Sequence, residues 1–219
     1  MKYLFLIITL ALSINGFAQK QKEAEDILKA AADKALAYKT IYMKFNFFVN
    51  NLQNDSKDEY QGELWTKGNK FKISIDNSIT YSNGKERWVY LKDENEVTVS
   101  TIDFSEDLDP EDLFLVKPLS IFTLYKKNFK YYISGDQNID GKHHTVVELV
   151  PEDLNKPYFK IKCWISDDYD YYSIKYFQKD GIHIILQLTD FKTDIKLKDS
   201  FFVFNSKEHP EVEIIDMRD

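Results

Sequence analysis

The sequence is poor in the residues that staple or break a chain: one cysteine, 7 glycines and 5 prolines among 219 residues. A single thiol, Cys163, excludes an intrachain disulfide, and so little Gly and Pro excludes a collagen-like or low-complexity chain. No apolar run reaches the ~18 residues needed to cross a bilayer. Positive charge is also in deficit, with 29 Lys and Arg against 36 Asp and Glu and a net charge of -7. A general nucleic-acid binder carries the opposite sign, so nucleic acid is not an expected partner.

Catalytic signatures are missing as well. There is no Gly-x-Ser-x-Gly elbow, P-loop, Gly-x-Gly-x-x-Gly turn or His-Glu-x-x-His helix. His143-His144 sits beside a turn, His183 falls on a strand, and His209 precedes Pro210. These do not converge at metal-ligand spacings. Asp167-Asp168-Tyr169-Asp170 lacks the glycine and distal Glu of a calcium loop and reads as an acidic turn. Cys163 lies in phase with Ile161 and Ile165 and reads as a buried structural thiol. The expectation is a protein without metal, cofactor or enzymatic activity.

What the chain has in quantity is aromatic surface: Phe 16, Tyr 14 and Trp 3, or 15% of all residues. With so little Gly and Pro, that points to a β-rich body with much apolar area to bury. Met1 to Ala18 reads as an export signal, with Lys2 in front, an apolar core from Leu4 to Ile14, and Gly16-Phe17-Ala18 as the cleavage site. Gln19 follows where a lipoprotein would carry its acylated cysteine, so export without a lipid anchor is expected. Residues 19–219 then form one domain.

From Lys20 to Tyr38 the apolar residues Ala24, Ile27, Leu28, Ala31, Ala35, Leu36 and Tyr38 recur at helical steps, the pattern of an amphipathic helix. The period then changes to two. Ile41, Met43, Phe45, Phe47 and Val49 share one face of a strand, and alternation resumes at Leu64–Lys67, Phe71–Ile75, Arg87–Leu91 and Val97–Thr101. Further strands are expected at Phe129–Ser134, Thr145–Val150, Phe159–Ile165, Tyr172–Phe177, Ile182–Leu188 and Phe201–Phe204. Gly68-Asn69, Asp76-Asn77, Asn83-Gly84, Asp140-Gly141 and Asp180-Gly181 supply the turns. Roughly ten or eleven such strands make a single antiparallel sheet wide enough to curl, so one face becomes an interior. Between Thr101 and Phe129, Asp109-Pro110 starts one short helix and Lys117-Pro118 a second, through Ile121, Phe122, Leu124 and Tyr125. With Leu113, Phe114, Leu115 and Val116 this insertion is too apolar for water, and the open face of the sheet is its natural cover.

Gly62-Glu63-Leu64-Trp65-Thr66-Lys67, then Lys70-Phe71, then Ser82-Asn83-Gly84-Lys85 and Trp88-Val89-Tyr90 resemble the periplasmic outer-membrane lipoprotein carrier proteins, the LolA-like family. The opening helix, the apolar mid-chain helices, Phe201-Phe202-Val203-Phe204 and Val212–Ile215 also find counterparts, so the resemblance spans nearly all of residues 19–219. It implies a mainly β, α+β fold: a strongly curved antiparallel sheet forming an incomplete half-barrel, its apolar concave face covered by lid helices. It further implies a monomeric chaperone that takes acylated lipoproteins from an inner-membrane ABC transporter and delivers them to an outer-membrane receptor or the outer membrane itself. Three acyl chains of about fifteen methylenes, at about 0.8 kcal/mol each, cost on the order of 35 kcal/mol to expose to water. A sheltering cavity answers that cost, and a lid that closes on itself lets the cargo go.

The expected lipid-binding residues are Ile41, Met43, Phe45 and Phe47, with Phe71, Ile73 and Ile75, then Phe114, Leu115, Ile121 and Phe122 from the insertion, and Ile184, Leu186 and Leu188 from the late hairpin. Trp65, Trp88 and Tyr90 complete the set, although a one-residue register shift turns them outward. The sequence departs from the family after Trp-x-Lys: the family usually has Arg-Pro, whose arginine holds the empty lid shut, and here Gly68-Asn69 stands instead. Lys67, Lys70 and Lys72 are the nearby donors left for a latch. Two other readings stay open at this point. One is a same-fold binder of another acylated lipid or an envelope-stress sensor. The other is a secreted β-rich enzyme using carboxylates such as Glu148 or Asp190.

Overall fold

A computed structural model describes residues 2–102, 114, 116–126 and 128–218, the side chains of 2–18 and 124 excepted. Twelve strands form one open sheet in the order β12-β6-β5-β4-β3-β2-β1-β11-β10-β9-β8-β7. Helix α1 (Lys2–Ala37) leads into β1 (Thr40–Asn51), β2 (Ser56–Lys67), β3 (Lys70–Ile75), β4 (Ser78–Ser82), β5 (Glu86–Leu91) and β6 (Glu96–Thr101). A 3-10 helix, Pro118–Lys126, precedes β7 (Phe129–Ile139), β8 (Lys142–Pro151), β9 (Tyr158–Ser166), β10 (Tyr171–Gln178) and β11 (Ile182–Thr193). Two meanders are joined where β11 returns to pair with β1, with a register shift between Lys44 and Phe45. Strand β12 (Glu213–Asp216) then adds to β6 in parallel, so the antiparallel expectation holds everywhere but at this edge.

The turns follow the local chemistry. Asp140 and Gly141, with φ of 52° and 76°, close the β7–β8 hairpin, and Gly84 (φ 88°) follows Asn83, whose side chain accepts from the Lys85 and Glu86 amides at 2.8 Å. Two expectations need correction. Phe201–Phe204 is not a strand: Asp199–Phe202 is a short 3-10 turn, and the rings pack edge-on against the outer face of the sheet instead of pairing. Strand β4 went unnoticed because it is short and its apolar residues, Ile79 and Tyr81, face away from the main core.

On α1 the buried stripe is Ala24, Leu28, Ala31, Ala32 and Ala35, whereas Leu36, expected in it, is 42% exposed. Four of the five buried residues are alanines, which let the helix lie close to the sheet. The inner core runs from this stripe through Ile41, Met43, Phe45, Leu64, Phe71 and Ile73 to Ile161, Cys163, Ile165, Ile174 and Tyr176 on the second meander. Gly62 is part of that packing. It stands opposite Phe45 in the β1–β2 register, and a Cβ there would lie 2.3 Å from Phe45 Cζ. Gly62→Ala therefore forces a fully buried ring to move. The expected cost is about 1–3 kcal/mol of overpacking, or a Tm lower by roughly 2–12 °C, measured by thermal unfolding followed by circular dichroism.

Candidate functional site: an apolar cleft under a short helix

Alternation places every second side chain of a strand on the inner face, and cross-strand register carries that face from strand to strand. Phe45 pairs with Gly62, Leu64 with Ile73, and Phe71 with Ser82, so these residues share the inner face with Ile184 and Leu186 of β11. The Pro118–Lys126 helix closes over them. Phe114 meets Phe45 edge to face (5.4 Å between centroids, 86°), and Phe122 lies on Tyr171 at 5.0 Å. Tyr131 Oη donates to the Tyr125 carbonyl, a polar tie between this lid and β7. Ser120 Oγ is buried there without a hydrogen-bond partner.

Thirteen of the expected lining residues come together here. Ile41, Met43, Phe45, Phe71, Ile73, Phe114, Ile121, Phe122, Ile184 and Leu186 are buried in one cluster, with Phe47, Ile75 and Leu188 half-buried at its margin. Leu115 and the first insertion helix at Asp109-Pro110 lie outside the described residues. The sequence reading missed the far wall: Tyr158 and Tyr176 line the cleft beside Phe47, Phe114 and Ile121. The Ile161, Cys163, Ile165 alternation was the signal that could have pointed to that half of the sheet.

Trp65, Trp88 and Tyr90 do not line this cleft. Leu64 occupies the inward position on β2, so Trp65 faces out, tilted against Tyr42 (5.3 Å between centroids) and edge-on to Phe201 (5.6 Å). Tyr90 pairs with Ile79 and Val97 and joins Phe204, with Trp88 packed beside them, in a separate outer cluster. The C-terminal segment covers that cluster as a strap, with His209 on Tyr90 at 4.6 Å and on Phe204 at 5.1 Å. The lysines considered for a lid latch hold this strap. Lys67 Nζ donates to Leu197 O and to Asp199 (both 2.9 Å), Lys70 Nζ reaches Asp199 at 2.6 Å, and Lys72 Nζ lies 4.8 Å over the Phe201 ring. Hydrogen bonds from Lys70 and then Lys67 hold the Asp199 carboxyl at about 2.

Little space remains under the lid. The cleft lined by Phe47, Phe114, Tyr158, Tyr176, Ile184 and Leu186 encloses about 20 Å³, room for a single water, where small-molecule pockets span roughly 300–1,000 Å³. Beside it are clefts of about 220 Å³, between α1, Phe122 and Phe191, and about 540 Å³, between Tyr38, Phe71 and Leu119. In the first cleft the lid's own side chains take up the space, and anything larger than water enters it only when its lining moves.

The polar groups weighed as catalytic are otherwise engaged. Burial pushes the Glu148 carboxyl up, but Lys162 at 2.7 Å and Lys160 at 3.7 Å outweigh it and leave it below its ordinary value. Asp190 pairs with Lys192 at 3.1 Å. Burial drives the Cys163 thiol to about 12, far from a thiolate. The acidic turn is held by Lys34 of α1, which meets the Asp168 carbonyl at 2.7 Å and Asp170 at 2.6 Å, and by His143 on Asp167 at 2.6 Å.

The profile of the outer membrane lipoprotein carrier protein LolA family matches residues 14–155. The chain belongs to this family. The match takes in α1 from residue 14 onward, the first meander, the lid and the start of the second meander, and ends before the strap. The family's fold is a carrying and binding fold, and the open sheet with a helix-covered inner face is its half-barrel. An uncharacterised protein of Methanocaldococcus jannaschii is 25% identical over 200 residues, 89% of this chain and 56% of that protein, so this chain spans little more than half of that relative. Among solved structures, an uncharacterised conserved protein from Thermus thermophilus superposes with a TM-score of 0.53 at 12% identity, covering 89% of this chain and 99% of that one. LprF from Mycobacterium bovis gives 0.50 at 13% identity, covering 81% and 96%. Among the described residues no helix is long and apolar enough to cross a membrane.

Proposed function

We propose that this chain is a periplasmic carrier of acylated lipoproteins. Residues 1–18 direct export and are removed after Ala18, leaving 19–219 as one monomeric carrier domain. It accepts acyl chains from an inner-membrane ABC transporter and surrenders them to a receptor at the outer membrane or to that membrane itself. One observation carries the reading: the segment around the Pro118–Lys126 helix covers the apolar inner face by side-chain packing, Phe114 on Phe45 and Phe122 on Tyr171. Those contacts are non-directional, so an acyl chain can replace Phe114 and Phe122 against the same residues at little net change in buried area. The carrier then recovers only part of the hydration cost of its cargo, and release remains possible.

The lid differs from the family pattern in its latch. With the Trp-Thr-Lys turn ending in Gly68-Asn69 and its lysines committed to the strap, closure rests on apolar packing and on the hydrogen bond from Tyr131 to Tyr125. A photocrosslinker at Phe45 or Ile73, expressed with an acylated lipoprotein, tests the reading. The expected product is a crosslink to the acylated cargo that disappears when the cargo's acceptor cysteine is changed to serine. A folded carrier that forms no acyl-dependent crosslink at either position would refute it.

A further inference from the structure

Register carries the inner face of the sheet past β3, and its chemistry changes there. Ile41 pairs with Thr66, Thr66 with Phe71, Phe71 with Ser82, Ser82 with Arg87 and Arg87 with Ser100, so these six residues form one row across the inner side of β1 to β6. The next row runs from Leu64 and Ile73 to Thr80, Val89 and Thr98. Strands β1 to β3 therefore turn mainly apolar side chains inward, whereas β4 to β6 turn hydroxyls inward around a single guanidinium. The outward residues of the same strands, Tyr81, Trp88, Tyr90 and Val97, pack with Phe204 of the strap.

Arg87 is half-buried, its Nε is fully buried with no hydrogen-bond partner, and among the described residues no carboxylate pairs with it. The adjacent Glu86 points to the other face and is taken by Arg218 at 2.6 Å. Glu96, which shares the inner face, stands four residues along β6 from Ser100, about 14 Å away. Ser82 is fully buried next to Arg87, and its Oγ accepts from Gly84 N at 3.1 Å, which leaves the hydroxyl proton to donate. A charge drawn out of water without a partner is costly, and an incoming anion removes that cost. The cleft of about 540 Å³ ends beside this group. Thr66 and Phe71 of the same row line it, as does Asn69, and a Cβ on Gly84 of the β4–β5 turn would lie 3.3 Å from Asn69 Cβ. Arg87 stands two strands from Phe71, about 10 Å across the sheet. The cleft's volume is that of a small-molecule pocket.

We propose that the inner face binds acyl chains that end in an oxyanion, a carboxylate or a phosphate, with the chain in the cleft between Tyr38, Phe71 and Leu119 and the oxyanion on the Arg87 guanidinium between Ser82 and Ser100. The planar fork of a guanidinium donates two parallel N–H bonds to such a group, and the flanking hydroxyls add a donor on either side. The apolar part of the row then shelters the chain while its polar part answers the charge. This inference rests on the inner face admitting acyl chains, as the carrier reading holds; it does not rest on the cargo being a lipoprotein or on where that cargo is delivered.

The test titrates the full chain by calorimetry with decanoate, decyl phosphate and decanol, which share one chain length and differ in the end group. The apolar run at residues 4–14 has its own affinity for such chains, so the readout is the difference between ligands. At least one of the two anions is expected to bind about tenfold or more tighter than decanol, and the stronger of them names the oxyanion the site takes. Arg87→Gln should weaken that anion roughly tenfold to a hundredfold and leave decanol unchanged, which also shows that the variant is folded. Arg87→Lys should keep part of the preference, as a point charge without the fork. Lys57→Gln, which removes a charge over the Phe48 ring on the outer face, should change nothing. Equal affinity for all three ligands, or no binding of any, overturns the proposal. So does anion binding untouched by Arg87→Gln, which would mean that the guanidinium serves the chain's own carboxylates, those of 103–112 among them. The acyl crosslink at Phe45 separates the two ideas. A crosslink to acylated lipoprotein with no anion preference sinks this inference alone, and an Arg87-dependent anion preference without any such crosslink sinks the carrier.

Discussion

Phe45→Ala is expected to destabilise the protein by about 3–5 kcal/mol and to lower its Tm by roughly 6–20 °C. The ring is 1% exposed, fills the space left by Gly62, and gives the lid its edge-to-face partner at Phe114. Its neighbours on β2 and β11 are held by hydrogen-bonded ladders and cannot collapse into the gap. The loss therefore falls on the lid, whose packing is side chain against side chain. Limited proteolysis should cut the 114–126 region faster than in the parent protein, at temperatures well below the transition. Acyl capture, read by a crosslinker at Ile73, should persist, because the variant removes volume and introduces no charge. A Tm drop of under about 2 °C would show that Phe45 is not a keystone of the closed state.

Phe204→Ala should produce a loss of comparable kind on the other face, about 3 kcal/mol and roughly 6–12 °C, without touching the lid. Phe204 is 8% exposed and packs on Tyr81 at 5.9 Å, Tyr90 at 5.3 Å and His209 at 5.1 Å, so its removal frees the strap from the first meander. The inner and outer clusters share no residue, being separated by the sheet itself. The double variant should accordingly lose the sum of the two effects to within about 0.5 kcal/mol. Protease sensitivity should move from the lid region to the residues after 199, and the Ile73 crosslink should be unaffected. Strong non-additivity in a thermal or urea titration would mean that strap and lid communicate through the sheet.

Both outcomes bear on what the sequence could and could not tell. On β1 the alternation of Ile41, Met43, Phe45 and Phe47 was unambiguous because one face meets a core and the other carries Lys44 and Asn46. On β5 it was not. Trp88 and Tyr90 are apolar, and so are Val89 and Leu91, and no rule of periodicity says which pair faces in when both faces are covered. The presence of a second cover, the strap, is what turned Trp65, Trp88 and Tyr90 outward, and a strap is a contact between segments more than a hundred residues apart. The far wall of the cleft at Tyr158 and Tyr176 was obscure for a related reason: it depends on which strands the curved sheet brings opposite the lid.

The short supply of cysteine, glycine, proline and positive charge, together with the abundance of rings, determined a disulfide-free β-rich protein with one amphipathic helix, an apolar insertion and no catalytic motif. Local chemistry placed most of the turns, because Asn-Gly and Asp-Gly bends need only their neighbours. The tertiary structure alone decided that the lid's own side chains fill the apolar cleft and that the latch lysines serve a strap. Pairing register, curvature and long-range contact are properties of strands brought together, and a single strand's pattern is the same before and after they meet.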